Sequence, residues 1–357
     1  FMAVTCVVLF YLPGFHEKMV AAQEQTMSQE DAGMHMDMVE IGSTDGAAEE
    51  EITFSQQLRI TLPDGVTQEQ VSIQDQYVTQ TVDIMFPGAG TDYLYHSPII
   101  GRSDHIDNLT FESEGGQGVI EITLDKVFEV QPTFLDGYLY LDFIPLHDIY
   151  DKVVVIDAGH GGDDPGKIGI NDAKEKDINL SIALKLKKLL EKEDIRIVLT
   201  RKDKNGLYSA GTSNKKVEDM RKRCDIITDA MPVFTVSVHQ NSYTEEYVKG
   251  AQVFYFGQSA EGKELAETLQ ESLRVNLDPD NDRMAKANES YYLLKKTPTP
   301  TVIVECGFLS NTEEANLLIT EEYQDKVAEA IRDGILTYLN GGEEGTEETG
   351  STETVKR

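Results

Sequence analysis

From residue 152 onward short apolar runs alternate with amphipathic stretches, and no other feature constrains the fold as strongly. Residues 153–156, 195–200, 233–239, 251–256 and 301–304 read as strands by their length and β-branching. Between them Ile178, Ile182, Leu186, Leu189 and Leu190 form one stripe at helical spacing, and 261–276 and 321–339 are spaced similarly. This order predicts an α/β fold, a mostly parallel, doubly wound sheet flanked by helices on both faces. Ligands of such sheets gather beyond the carboxyl ends of the strands, so chemistry is sought there.

Residues 51–150 follow another rule. Short β-rich runs at 71–78, 81–86, 118–124 and 138–143 are separated by Pro-Gly, Gly-Gly and Asp-Gly turn signals. A small all-β domain is therefore expected ahead of an α/β domain at 151–340. Of its three histidines, His96 and His105 have no catalytic set around them and read as structural or exposed. Residues 23–50, rich in Gln, Glu, Asp and Met with almost no aliphatic side chains, predict a disordered acidic linker, and 341–357 a disordered tail. Met34-His35-Met36-Asp37-Met38 offers soft donors that suit copper, but in so mobile a tract nothing fixes their geometry. Residues 1–22 open on the uncharged run FMAVTCVVLFYLPGF, read as a truncated signal or membrane-anchor segment, with a buried strand or helix as the alternative. Export through, or single-pass anchoring in, the membrane is the expectation, and so an extracellular or cell-envelope location.

Charge narrows the partners. The 357 residues carry 32 Lys/Arg against 63 Asp/Glu, a net charge of -31, opposite to the basic footprint that nucleic-acid binding needs. Residues 1–150 hold 4 of those basic residues and 25 of the acidic ones. Cys6, Cys224 and Cys306 lie too far apart for a zinc ribbon or a disulfide scaffold. Nothing in the sequence sets an oligomeric state.

The strand ends hold an unusual collection of groups. Strand 153–156 runs into Asp157-Ala158-Gly159-His160-Gly161-Gly162, placing an imidazole in a glycine loop with room for a ligand. Strand 233–238 ends at His239-Gln240-Asn241, and strand 301–304 at Glu305-Cys306-Gly307-Phe308. Glu175 opens the helix whose stripe begins at Ile178. Alone, Glu175 reads as a carboxylate favoured by a helix dipole, and His239 equally well as a core histidine. Glu305 resists that treatment, because a carboxylate directly after Val302-Ile303-Val304 is costly to bury unless paired, metal-bound or catalytic. Cys306 reads as a packing residue, since it has no basic partner to activate it. Two histidines and one glutamate at converging strand ends make a three-ligand zinc set with a fourth position for water, and a second glutamate then has a proton to carry.

Four stretches carry a resemblance: Val-Val-Val-Ile-Asp-Ala-Gly-His-Gly-Gly (153–162), Lys-Glu-Lys-Asp-Ile-Asn-Leu (174–180), Ser-Val-His-Gln-Asn-Ser (237–242) and Val-Glu-Cys-Gly-Phe-Leu-Ser-Asn (304–311). In this order they resemble the zinc-dependent N-acetylmuramoyl-L-alanine amidases over residues 152–340. The resemblance implies that His160, Glu175 and His239 hold Zn²⁺ and that Glu305 is the catalytic carboxylate, acting as general base and acid with zinc-bound water as nucleophile. It implies peptidoglycan as substrate, cut between N-acetylmuramic acid and L-alanine. Residues 283–287 and 292–294 also resemble the family, which implies a substrate wall; Asn241, Arg283 and Lys286 are the expected substrate-binding residues. Gln240 and Cys306 depart from the family's usual alanine and aliphatic residue without removing a ligand. With Tyr291-Tyr292 ahead of it, the fourth stretch is most similar to the spore-cortex amidases. No inhibitory helix is located, although 206–216 and 278–288 are loops long and polar enough to gate a cleft. Residues 51–150 resemble, loosely, the small AMIN-like sheet domains that target such amidases to the wall, although their negative charge argues against anionic wall polymers unless cations bridge. Alternatives are another zinc amidohydrolase, such as a peptidase or deacetylase, and a non-catalytic wall-binding protein.

Overall fold

Alternating burial builds the first half of the chain. In the computed structural model, which describes residues 6–8, 57–76, 80–101 and 103–341, the chain divides into two units. The first comprises Phe1–Asp125 with Glu129–Ile144. Its strands are β1 (Cys6–Val8), β2 (Leu58–Thr61), β3 (Ser72–Gln76), β4 (Thr81–Pro87), β5 (Ile100–Gly101), β6 (Ile106–Glu114), β7 (Gln117–Leu124), β8 (Phe128–Leu135) and β9 (Tyr138–Pro145), with a 3-10 turn at Gln68–Gln70 and a short helix, α1 (Tyr93–His96). They form a five-stranded sheet ordered β1-β6-β7-β4-β3 and a four-stranded one ordered β5-β2-β9-β8. Every second residue turns inward, so Val82, Ile84 and Phe86 of β4 and Ile120, Ile122 and Leu124 of β7 share one core face. Gly115 and Gly116, both at positive φ (63° and 82°), close the β6–β7 hairpin in a conformation that favours glycine. His96 and His105 lie beside Asp92 (3.5 Å) and Asp125 (3.3 Å).

Residues 6–8, inside the expected export segment, pair antiparallel with residues 109–111. The rest of that segment, the 23–50 linker with its Met-His-Met stretch, and the tail beyond residue 341 lie outside the described residues. Among the described residues no helix is long and apolar enough to cross a membrane.

The second unit, Lys126–Phe128 with Pro145–Arg357, is the α/β one. Its strands are β10 (Val153–Ala158), β11 (Arg196–Leu199), β12 (Phe234–Asn241), β13 (Gln252–Tyr255), β14 (Lys286–Ala287) and β15 (Thr301–Phe308), ordered β11-β10-β12-β15-β13-β14. All neighbouring pairs run parallel except β13 with β15. The mostly parallel, doubly wound sheet is as the sequence predicts, and the one reversal has a local cause: residues 242–251 contain no crossover helix, which a parallel return requires. The helices are α2 (Leu146–Ile149), α3 (Glu175–Leu190), α4 (Lys215–Ala230), α5 (Ala260–Leu277), α6 (Tyr292–Lys296), α7 (Thr312–Leu318) and α8 (Glu321–Leu339). Apolar residues of α3, α5 and α8 pack on Val154, Ile156, Val236, Val238, Val302 and Val304. Ile303, pointing the other way, packs with Phe254 of β13 and Leu294 of α6, so both faces are covered. Each fully buried Leu or Ile contributes about 1.5–3 kcal/mol.

Two strands run further than their sequence suggests. β15 continues through Glu305 to Phe308, and β12 through His239 to Asn241. Glu305 is thus not a residue beyond the sheet, and it and His239 are register partners on adjacent strands.

Candidate active site

The loop after β10 carries His160 in a left-handed backbone conformation, φ 64°, uncommon for a residue with a side chain. A buried network holds it there. Arg223 donates to the carbonyls of Ala158 (2.8 Å) and His160 (2.6 Å) and to Asp157 (2.5 Å), which also accepts from Thr200 (2.6 Å) and Ser237 (2.5 Å). Burial opposes the charge of Asp157, but Arg223 and the two hydroxyls overcome it and hold its pKa near about 2. The preceding Gly159 must be glycine, because a Cβ there would lie 2.2 Å from the His239 ring.

Glu175 is the first residue of α3 and is 2% exposed. Its Oε1 accepts from His239 Nδ1 (2.9 Å) and from the Gln240 amide (3.1 Å). Oε2 accepts from the Lys167 amide (2.7 Å) and lies 3.2 Å from His160 Nε2. The other ring nitrogen of His160, Nδ1, meets Asp164 at 2.9 Å. Burial disfavours a charge on Glu175, yet the hydrogen bonds from His160 and His239 outweigh it and keep its carboxyl well below the usual range. Burial likewise works against a charged His160, but its bonds to Glu175 and Asp164 raise its pKa.

Glu305 has the opposite environment. It is 8% exposed, and its Oε2 is buried without a hydrogen-bond partner among the described residues. Burial pushes its carboxyl up to about 7 against the pull of His239, with Glu175 adding to the rise. Two carboxylates in one site, one forced to ionise and the other held near neutrality, are the arrangement that separates a ligand from a proton carrier.

A cleft of about 710 Å³ opens over these groups. His160, Glu175, His239 and Glu305 line it, as does Asn241 at the end of β12. The structure does not bring Arg283 and Lys286 into it. The Arg283 guanidinium donates to the Lys249 carbonyl (2.7 Å) and lies over the Phe308 ring, while Lys286 sits on the outermost strand, β14. Of the two loops expected to gate the cleft, 206–216 supplies Tyr208 and Lys215 to its wall, and 278–288 supplies nothing. Tyr292 and Leu293 do line it. Cys306 is buried, with its thiol pKa raised by burial.

One nitrogen from each histidine and one oxygen of Glu175 lie within 4.8 Å of one another. Two imidazoles and a carboxylate are a donor set that suits zinc, and Asp164 is placed as the outer carboxylate that orients a metal-binding histidine. Sequence reasoning missed Asp164 and the Asp157–Arg223 network. The signal for Asp164, an acid four residues past a candidate ligand, was present; a partnership across 66 residues such as Asp157 with Arg223 leaves none.

Comparison with known proteins fits this geometry. The family profile described as N-acetylmuramoyl-L-alanine amidase matches residues 154–337. The germination-specific N-acetylmuramoyl-L-alanine amidase of Bacillus subtilis is 37% identical over 191 residues, covering 53% of this chain and 80% of that protein. The amidase LytC of the same organism is 32% identical over 53% of this chain and 36% of its own length. Among solved structures, the CwlD amidase from Clostridioides difficile in complex with the GerS lipoprotein is 40% identical, with a TM-score of 0.52 over 53% of this chain and 99% of that one. A β-rich unit followed by a mostly parallel sheet with histidines and glutamates gathered at its centre thus carries, over residues 154–337, the fold and sequence of a peptidoglycan-cleaving enzyme, and the chain belongs to the N-acetylmuramoyl-L-alanine amidase family.

Proposed function

We propose that residues 151–340 hydrolyse the amide bond between N-acetylmuramic acid and L-alanine, with His160, Glu175 and His239 holding a zinc ion and Glu305 carrying the proton. The single observation behind this reading is Glu305 Oε2, a buried carboxylate oxygen with no partner among the described residues, on the strand beside His239. Held by His160, Glu175 and His239, a zinc ion would supply a Lewis acid for the amide carbonyl and would make a bound water a stronger acid. Glu305, with a pKa near 7, takes the proton of the attacking water at Oε2 and delivers it to the leaving nitrogen of L-alanine. As a zinc ligand, Glu175 would stay ionised rather than compete for that proton. Asp164 fixes the ring plane of His160, and Asn241 binds substrate from the end of β12. Action in the cell envelope follows from the substrate, and residues 51–150 are proposed to serve as an AMIN-like targeting domain.

The test is digestion of purified muropeptides, read by mass spectrometry together with metal content. The expected products are N-acetylmuramic-acid glycan and an intact stem peptide, formed by a zinc-loaded chain. Release of amino acids or acetate instead would mark a peptidase or a deacetylase and overturn the reading.

A further inference from the structure

Beneath the His160 loop lies a second arginine whose position is harder to account for than that of Arg223. Arg201 is 1% exposed, and its hydrogen bonds all end on backbone carbonyls rather than on a carboxylate. Burial lowers its pKa only to about 10, so it stays charged at neutral pH. Burying a cation with no carboxylate in hydrogen-bond contact is unfavourable, and the nearby charges of Asp157, Asp219 and Asp203 offset only part of that cost. The acceptors explain the arrangement. Nε donates to the Ala158 carbonyl (2.8 Å) and Nη2 to that of Gly159 (3.0 Å), the two peptide units directly ahead of His160. Nη2 also donates to the Lys176 carbonyl (2.7 Å), one residue past Glu175. One planar guanidinium therefore ties the segment bearing His160 to the helix start bearing Glu175.

Other bonds run along the same seam. Lys176 Nζ donates to the Gly162 carbonyl (2.5 Å), the Lys176 amide to Pro165 (3.1 Å) and the Glu175 amide to Lys167 (2.9 Å). His160 needs such support, because its left-handed backbone is not one it adopts unaided.

We propose that Arg201 is a positioning residue that sets the separation of His160 from Glu175, and through it the affinity of the site for zinc. The inference rests on the zinc reading given above. Lysine keeps the charge but presents its donors from one point, so it cannot span acceptors in two segments as the guanidinium does.

The experiment is competition for zinc between a fluorescent chelator and the full chain, run alongside thermal unfolding of the metal-free forms. Arg201→Lys is expected to weaken zinc binding by about 10- to 100-fold, the range for partners that orient metal ligands. Lys176→Met, which removes one bond of the same seam without burying a new charge, is expected to move affinity the same way by less. Leu269→Ala, in the buried contact of α5, lowers the melting temperature and leaves zinc affinity at the parent value. Arg201→Lys and Lys176→Met binding zinc as tightly as the parent overturns the inference alone, as does affinity that simply follows melting temperature across all three variants. A parent chain that binds no zinc overturns both this inference and the reading it rests on.

Discussion

The two units bury different kinds of side chain. Among the described residues, the buried part of the β-rich unit is aliphatic and aromatic, from Leu58 to Phe143, whereas the α/β unit also buries Asp157, Glu175, Asn179, Arg201, Arg223, Gln240 and Glu305. Polar burial of that kind is unfavourable unless each group finds a partner, and five of these seven, Asp157, Glu175, Arg223, Gln240 and Glu305, line one cleft. Apolar packing alone fills the first interior, whereas the second also holds the charged and polar groups of a site in place.

The strongest test of this contrast is Glu305→Gln. The substitution removes a buried acid whose Oε2 lacks a partner among the described residues, so turnover is expected to fall roughly 100- to 10,000-fold with zinc content and melting temperature held or improved. Unchanged turnover of muropeptides would remove the chemistry from the contrast. Next in size is Asp157→Asn, which breaks the buried pair with Arg223 and is expected to cost about 3 kcal/mol in denaturant unfolding. Because the folded pKa of Asp157, about 2, lies below its ordinary 3.8, its contribution is complete above about pH 4 and fades as the pH falls toward 2. In the parent this loss is on the order of 2 kcal/mol and should be missing from the acid limb of the variant's stability curve.

The β-rich unit supplies the converse. Ile84→Ala removes a fully buried side chain from β4 and is expected to cost about 2–5 kcal/mol in that unit's unfolding, with kcat and zinc content unmoved. A parallel loss of turnover would erase the distinction. The smallest effect belongs to Asp164→Asn, which keeps the size of the group that meets His160 Nδ1 but weakens its hold. Zinc affinity is expected to drop about 10-fold, measured by chelator competition, with little change in melting temperature.

Much of this was legible in the sequence. The alternation after residue 152 predicts the sheet and its helices, since periodicity is a local property. The Gly-Gly turn signal falls where β6 meets β7 for the same reason. The extent of β15 was not legible: a carboxylate after an apolar run reads as the end of a strand, yet Glu305 stays within β15 because His239 on β12 lies opposite it. β8 was hidden by Pro132, which argues locally against a strand. Arg283 and Lys286 lie outside the lining of the cleft, because a motif gives an address in the chain and not a side of the sheet. Arg201 and Arg223 could not be read as supports of the site, since the acceptors that tie them to it, the carbonyls of Ala158, Gly159 and His160 and the carboxylate of Asp157, lie dozens of residues away.

The central claim is that His160, Glu175 and His239 act as one zinc site beside a proton-carrying Glu305. It is tested most directly by titrating zinc into the metal-free chain while following bound metal and release of intact stem peptide from muropeptides in the same samples. Both signals should rise together and saturate at a single zinc per chain, and His239→Ala should abolish both. Full peptide release before any zinc is added, or in the His239→Ala chain, would contradict the account.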